Sequence, residues 1–190
     1  TSFFPAKPLG CYGDGGALFT NDDNLASLFR SIRVHGRGVD RYENVRLGIT
    51  GRLDSLQAAV LIAKLGIFPD ELNARRRVAS TYEKLISSSN LDLITPKVPD
   101  GYSSAWAQYS LLAPDQVGRQ RILDQLKAVG VPTMIYYTKP LHLQKALSNL
   151  GYKPGDFPVS EETSERIFSI PMHPYLDENT ISIIVNAMMH

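Results

Sequence analysis

The residues best suited to chemistry lie near the start of the chain, around Lys7. Pro5 and Pro8 stiffen the backbone on both sides of this lysine, and four glycines lie within positions 10–16. A lysine amine that forms an imine must be held in a fixed place and be partly desolvated, so that its neutral form is accessible. A lysine near a terminus is ordinarily a solvated surface residue. It is therefore the pattern around Lys7, and not the lysine alone, that indicates covalent chemistry.

The glycine cluster allows the backbone to approach a ligand closely or to adopt positive φ angles. A tight turn that joins two core elements is the plainer interpretation, and a nucleotide-phosphate loop is a sharper one. Neither G-x-x-x-x-G-K-[ST] nor a strand followed by G-x-G-x-x-G and a helix fits the spacing of residues 10–16. The two common phosphate fingerprints are thus excluded, whereas the tight turn remains open.

Composition narrows the classes of partner. Twenty Lys and Arg against 19 Asp and Glu give a net charge of +1, without a run of like charges that would indicate nucleic-acid or membrane binding. The only cysteine is Cys11, so we expect no intrachain disulfide and no metal site. The expected location of the protein is the reducing cytoplasm. We also expect no membrane span and no signal peptide, because long apolar runs are absent from the sequence.

Hydrophobic periodicity predicts the elements that must position these residues. It indicates helices at residues 24–34, 54–65, 69–86, 116–129, 161–168 and 178–188, and strands at 105–112 and 131–137. Gly66 is expected to end the second helix, and Pro69 suits the first turn of the third. The strand–helix–strand order over residues 105–137 favours an open α/β layer.

Four segments resemble one known family, the DegT/DnrJ/EryC1/StrS aminotransferases. Residues 2–16 read S-F-x-x-x-K-x-L-G-x-x-G-D-G-G, which is similar to the family's Schiff-base segment. Residues 52–59 read R-L-D-x-L-Q-A-A, and residues 140–144 and 169–174 read P-L-H-x-Q and S-I-P-M-H-P. The resemblance therefore extends over nearly the whole chain.

This resemblance implies an α/β protein with the PLP-dependent transferase fold type I, the fold of aspartate aminotransferase. Residues 1–66 would be the end of the large domain that binds pyridoxal 5′-phosphate (PLP). Residues 67–101 would form a long connecting helix and linker, and residues 102–190 the small C-terminal α/β domain. In the family, an aspartate at the pyridinium nitrogen, a stacking ring and a phosphate loop precede the lysine. We therefore expect a missing N-terminal half, and little or no activity from this chain alone.

The resemblance also implies roles for single residues. Lys7 would hold PLP as a Schiff base and move a proton between the amino donor and the cofactor. Ser2 would hydrogen-bond the cofactor phosphate. Thr50 stands where the family carries an asparagine that reaches the cofactor phosphate of the neighbouring subunit, and its shorter side chain puts that contact in doubt. Candidates for sugar-nucleotide binding, each histidine with an equally good structural alternative, are His35, Arg37, His142 and His173.

The implied reaction is transfer of an amino group, from glutamate or another amino acid, to the keto group of a nucleotide-linked sugar. Residues 7–16 most resemble members that act on UDP-linked 3-keto sugars, including 2-acetamido-3-oxo-glucuronate, in polysaccharide and lipopolysaccharide biosynthesis. Relatives that dehydrate sugars carry histidine at the lysine position, so Lys7 argues against that branch. A homodimer with shared active sites is expected.

Two alternatives belong to other classes. The chain can instead be a non-catalytic or incomplete fragment of the family with a role in dimerisation or as a scaffold, which the absent first half and Thr50 favour. A nucleotide-binding α/β module without PLP is the second alternative, and it predicts nucleotide binding without an imine.

Overall fold

The structure, a computed structural model, describes residues 1–189. Five α-helices lie within these residues: α1 (Asp23–Ile32), α2 (Ser55–Ser87), α3 (Gln116–Ala128), α4 (Pro158–Arg166) and α5 (Glu178–Ala187). Two strands, β1 (Tyr109–Leu112) and β2 (Ile167–Ile170), and two 3₁₀ helices, Leu141–Leu143 and Lys145–Leu150, complete the regular elements. The chain divides into two units, with unit 1 formed by Thr1–Pro69 and unit 2 beginning at Asp70.

This single division falls inside α2, whereas the sequence suggested one domain up to residue 66 and another from residue 102. The assignment of these parts to a large and a small domain stays a prediction. In unit 1, the predicted helix at 24–34 is present as α1. The carboxylate of Asp22 starts it by accepting the N–H groups of Asn24 and Leu25 at 2.8 and 3.2 Å.

Helix α2 corrects the prediction of two separate helices at 54–65 and 69–86. It runs without interruption for 33 residues through both Gly66 and Pro69. In a helix interior, glycine costs about 1 kcal/mol and proline about 3 kcal/mol relative to alanine. Burial on each side outweighs these penalties, since Leu61 is buried in unit 1 and Tyr82 in unit 2. Neither α2 nor any other helix within residues 1–189 combines the length and the apolar content needed to cross a membrane.

The core of unit 2 forms around a two-stranded antiparallel sheet. Tyr109 of β1 pairs with Ile170 of β2, and Leu112 pairs with Ile167 at the other end. The sheet packs against buried side chains of α2, α3 and α5, which include Tyr82, Leu126, Ile181 and Ile184. The Tyr82 hydroxyl donates to the carbonyl of Pro171 at 2.9 Å, so this buried polar group is satisfied.

The sheet differs from the predicted strand–helix–strand order. The predicted strand at 131–137 is wrong, because Met134 forms only an isolated bridge with Ser169. The partner of β1 is instead β2, whose residues the sequence predicts as the end of a helix at 161–168 and a loop. The short run Ile167–Ile170 shows almost no period of its own, and strand formation there depends on pairing with a segment far away in sequence.

Truncation of Leu126 tests the packing of this core. Its side chain is fully buried, so Leu126→Ala is expected to lower the free energy of unfolding by about 2–5 kcal/mol. Val117 lies on the same helix but is 79% exposed, so Val117→Ala should change the free energy of unfolding by less than about 0.5 kcal/mol. Urea unfolding followed by circular dichroism measures both. Equal losses in the two variants would contradict the described core.

Candidate active site

The loop that carries Lys7, residues 4–10 and here called the lysine loop, is closed by its own backbone. The Cys11 N–H donates to the carbonyl of Phe3, and the Lys7 N–H donates to the carbonyl of Phe4, both at 2.8 Å. A Cβ added at Gly10 would lie 2.7 Å from the carbonyl oxygens of Phe4 and Pro5. Real Cβ atoms do not approach backbone oxygens this closely, so the loop closes in this form only with glycine at position 10.

The Lys7 side chain is exposed and has no hydrogen bond or ion pair with any residue in 1–189. This amine is free to condense with an aldehyde, whereas the partial desolvation expected of an imine-forming lysine is not provided by residues 1–189. Ser2 lies before the loop in an isolated bridge with Gly16, and its Oγ accepts the Phe4 N–H at 3.2 Å. The serine O–H therefore remains able to donate. An amine and a hydroxyl donor on one short segment fit the aldehyde and the phosphate of PLP.

Helix α2 holds the end of the lysine loop and the residues that follow it. The side-chain oxygen of Gln57 accepts the Tyr12 N–H at 2.7 Å, and the Lys64 Nζ donates to the carbonyl of Gly10 at 2.6 Å. The Lys64 ammonium also lies 5.0 Å from the centre of the Tyr12 ring. Sequence motifs include Gln57 but not Lys64. Their spacing of two helical turns indicates a shared face of the helix, but not the loop that this face contacts.

Three further predicted residues lie in the segment 34–50 of unit 1. Val34 bridges Thr50, Arg37 bridges Asn44, and the Thr50 Oγ1 lies 3.4 and 3.5 Å from the two ring nitrogens of His35. His35 adopts a positive φ of 61°. The structure therefore brings His35 and Thr50 together, whereas Arg37 extends an exposed side chain without a partner among the described residues. Their roles toward a substrate or cofactor stay predictions.

His142 of unit 2 occupies a closed cluster. Its side chain is 8% exposed, and its Nε2 lies 3.0 Å from Glu161 Oε1. The same carboxylate accepts the N–H of Gly155 at 2.9 and 3.0 Å and that of Phe157 at 3.3 Å. The hydrogen bond from Gly155, followed by those from His142 and Phe157, lowers the pKa of Glu161. These contacts support the structural alternative for His142, and a role in substrate binding would require the cluster to open.

His173 is exposed, and its Nδ1 accepts the Tyr175 N–H at 3.2 Å. Partial burial, and then the nearby charge of Arg75, lowers the pKa of His173 below its ordinary value, so the ring is neutral at pH 7. Arg75 is buried and donates to the carbonyls of Trp106 at 2.9 Å and Met172 at 3.3 Å. The sequence does not indicate this role for Arg75, which fixes the backbone beside His173.

None of these histidines belongs to a metal site. Within residues 1–189, the structure contains no group of three or more His, Cys, Asp or Glu side chains that is placed to hold a metal ion. The side chains whose chemistry suits a cofactor aldehyde and phosphate are the exposed amine of Lys7 and the exposed hydroxyl of Ser2, and Thr50 carries a further exposed hydroxyl.

Substitution of Gly10 tests the closure of the lysine loop. Gly10→Ala should lower the free energy of unfolding by about 1–3 kcal/mol and speed hydrogen exchange at the Lys7 amide, because the added Cβ forces Phe4 away. Gly66→Ala is the matched control, since no atom lies within 4 Å of its Cβ position in α2. That change should raise stability by about 0.5–1 kcal/mol. An unchanged Lys7 amide in Gly10→Ala would contradict the closed loop.

The Glu161 cluster makes stability depend on pH. The folded-state pKa of Glu161 lies below its ordinary value of 4.5, so its stabilisation is complete above about pH 4.5 and is lost as pH falls through the folded value. Glu161→Gln should lower the melting temperature at pH 7 and flatten its decline in acid. Glu162→Gln is the control, because Glu162 forms only an exposed pair with Arg166. Parallel acid profiles for wild type and Glu161→Gln would refute the role given to this carboxylate.

The chain is similar to known proteins over its described length. The model of the DegT/DnrJ/EryC1/StrS aminotransferase family matches residues 1–189. The chain is 44% identical over 188 residues to the UDP-2-acetamido-2-deoxy-3-oxo-D-glucuronate aminotransferase of Pseudomonas aeruginosa, covering 99% of this chain and 50% of that protein. It is 43% identical to a pleiotropic regulatory protein of Geobacillus stearothermophilus, covering 98% of this chain and 50% of that one. The chain thus spans about half the length of these curated relatives.

Solved structures give the same result for the fold. A DegT DnrJ EryC1 StrS aminotransferase from Brucella abortus superposes with a TM-score of 0.89 at 49% identity, over 99% of this chain and 49% of that one. DesV of S. venezuelae superposes with a TM-score of 0.89 at 28% identity, over 98% of this chain and 49% of the other. The predicted fold class, α/β of the PLP-dependent transferase fold type I, is confirmed. The chain belongs to the DegT/DnrJ/EryC1/StrS aminotransferase family.

Proposed function

We propose that this chain forms the C-terminal half of a PLP-dependent aminotransferase that moves an amino group from glutamate to the keto group of a nucleotide-linked sugar. The observation that carries the proposal is Lys7, an exposed amine without a partner among residues 1–189. Gly10 closes the loop that presents it, and Lys64 of α2 donates to the Gly10 carbonyl. Family membership and the names of the relatives supply the reaction.

The residues of this chain would contribute binding and proton transfer. When bound, PLP supplies an electron-withdrawing ring that makes the α-proton of the amino donor acidic. The Lys7 amine would take this proton and return it at the carbon that receives it, which requires the neutral amine. The Ser2 hydroxyl would donate to a phosphate oxygen, because Ser2 accepts the Phe4 N–H and keeps its own proton available.

A UDP-linked 3-keto sugar is the proposed acceptor, within the synthesis of surface polysaccharide such as lipopolysaccharide. Support comes from the Pseudomonas aeruginosa relative and from an Acidithiobacillus ferrooxidans relative described as a UDP-N-acetyl-3-dehydro-alpha-D-glucosamine 3-aminotransferase, which is 36% identical. The exposed cation Arg37 and the neighbouring His35 offer donors to a diphosphate. His173, neutral and exposed, offers a hydrogen bond to a sugar or base, and His142 does so only if its cluster opens.

The proposed assembly is a cytoplasmic homodimer in which each chain also carries the half that this sequence does not include. Unit 1 presents large apolar side chains to solvent, such as Leu18 at 74%, Phe19 at 82% and Leu56 at 81% exposure. Exposed apolar side chains, when they form a contiguous patch, are typical of surfaces that bind other protein. Thr50 would take part in the dimer through its hydroxyl, with one hydrogen bond where the family's asparagine offers more.

A regulatory, non-catalytic protein is the second candidate. The observation that favours it is the 43% identity to a relative described as a pleiotropic regulatory protein. Such a protein could keep the fold without turnover. The Lys7-dependent absorbance band of bound PLP, measured together with turnover, separates the two candidates.

Loss of the Lys7 amine tests the proposed function. With PLP added, the whole protein should show a visible absorbance band that borohydride removes while attaching the cofactor covalently to Lys7. Lys7→Ala should abolish both the band and the attachment, and should lower amino transfer from glutamate by at least about 1,000-fold, because the proton-transferring amine is gone. Spectroscopy, peptide mass spectrometry and an assay with UDP-linked 3-keto sugars measure these effects.

Lys84→Ala is the matched control, since Lys84 is exposed on α2 and its side chain has no polar contact within the described part of the chain. It should leave the band and the attachment unchanged. A lysine-dependent band without turnover on any keto sugar would favour the regulatory candidate. The absence of the band in the wild-type protein would overturn the proposed function.

A further inference from the structure

We infer that Gln57 and Lys64 are positioning residues that set the place of Lys7, in the reaction proposed above. Both lie on α2, seven residues and therefore two helical turns apart, so their side chains leave the same face of the helix. Leu61, four residues after Gln57, is 5% exposed and belongs to the same face. This face of α2 thus offers one apolar contact between two polar groups.

Gln57 holds the backbone at Tyr12. Its side-chain oxygen accepts the Tyr12 N–H at 2.7 Å. Its side-chain nitrogen would lie 3.2 Å from a Cβ added at Gly13, so the amide packs closely against the backbone there. Gln57 thus supplies the acceptor for the Tyr12 N–H that a neighbouring strand would supply in a sheet, and this fixes the backbone at Tyr12.

Lys64 holds the backbone at Gly10. Its ammonium is half-buried and donates to the Gly10 carbonyl at 2.6 Å, a charge-assisted hydrogen bond of the stronger kind. The same ammonium lies 5.0 Å from the centre of the Tyr12 ring, within the range of a cation–π interaction. One lysine therefore joins both residues that flank Cys11.

The held segment is coupled to Lys7 by the closure of the loop. Cys11 is fully buried, its N–H donates to Phe3 at 2.8 Å, and its Sγ donates to the Phe3 carbonyl at 3.0 Å. The start of the lysine loop is thereby tied to its end, and the end is tied to α2. Since the Lys7 side chain has no partner of its own within residues 1–189, the backbone position decides where its amine can reach.

The position of the Lys7 amine affects the reaction rate. A misplacement of about 1 Å in a catalytic group costs about 100-fold in rate, even when the cause lies away from the reacting atoms. Gln57 and Lys64 would act through the backbone and not by touching substrate. Their loss should therefore lower kcat for the amino-donor half-reaction while leaving KM for the donor unchanged.

The experiment uses the whole protein with PLP and compares Gln57→Met and Lys64→Met with two controls. Lys84→Met and Gln108→Met change exposed residues whose side chains have no polar contact among residues 1–189. Three quantities are measured: hydrogen exchange at the Tyr12 amide, the ratio of visible circular dichroism to absorbance of the lysine-bound cofactor, and the steady-state constants. The dichroism ratio reports how firmly the cofactor and Lys7 are oriented, and a uniform loss of stability does not change it.

We expect Gln57→Met to speed exchange at the Tyr12 amide about fivefold or more, as the loss of one hydrogen bond implies. Both variants should lower the dichroism ratio about twofold and kcat by about 10- to 100-fold, with KM for glutamate unchanged. Gln57→Glu keeps an acceptor oxygen and Lys64→Arg keeps a cationic donor, so each should restore much of the signal. These conservative variants also cover the case in which a methionine variant fails to fold.

Variants that match the controls in dichroism ratio and kcat would overturn the inference, including when their melting temperatures fall, because the two residues would then be structural only. A wild-type protein that forms no Lys7-dependent band would overturn the proposed function, and the inference with it. The wild-type spectrum thus separates the two failures.

Discussion

The closure of the lysine loop is the constraint on which the candidate site depends. Cys11 and Phe3 join the two ends of the loop through a backbone hydrogen bond, and Gly10 lets the chain pass within contact distance of the Phe4 carbonyl. A lysine on an open, solvated segment would sample many positions. Fixing it in the reactive one would then cost conformational entropy during the reaction. The closed loop removes the backbone part of that freedom before any ligand binds.

Helix α2 contributes residues to both units. In unit 1 it presents Gln57 to Tyr12 and Lys64 to Gly10, and in unit 2 it buries Tyr82 in the core. The helix itself is continuous through Gly66 and Pro69. Arg75 has a comparable role within unit 2, where a buried guanidinium fixes two loop carbonyls. In each case a charged or amide side chain on α2 satisfies backbone groups of an irregular segment, which otherwise would lack partners.

Two histidines that look alike in sequence differ in their burial and in their contacts. His142 and His173 both lie in segments that resemble the family, yet His142 is 8% exposed and bound to Glu161, whereas His173 is exposed and neutral. The carboxylate of Glu161 draws three hydrogen-bond donors together, so it organises the turn around Gly155 and Phe157 as well as the imidazole. A structural histidine and an accessible one cannot be told apart by residue type.

The sequence by itself determined the family, the fold class, the identity of Lys7 as the residue to test, and the helices that became α1, α3 and α5. These are local properties, since motif spacing, helical periodicity and capping residues act within a few turns of the chain. Only the tertiary structure decided that α2 continues through its glycine and proline, that β1 pairs with residues 167–170, and that Gln57, Lys64 and Arg75 hold loop backbone. The physical reason is the same for all three: burial and hydrogen bonding between segments distant in sequence outweigh local propensities of about 1–3 kcal/mol, and no local pattern records them.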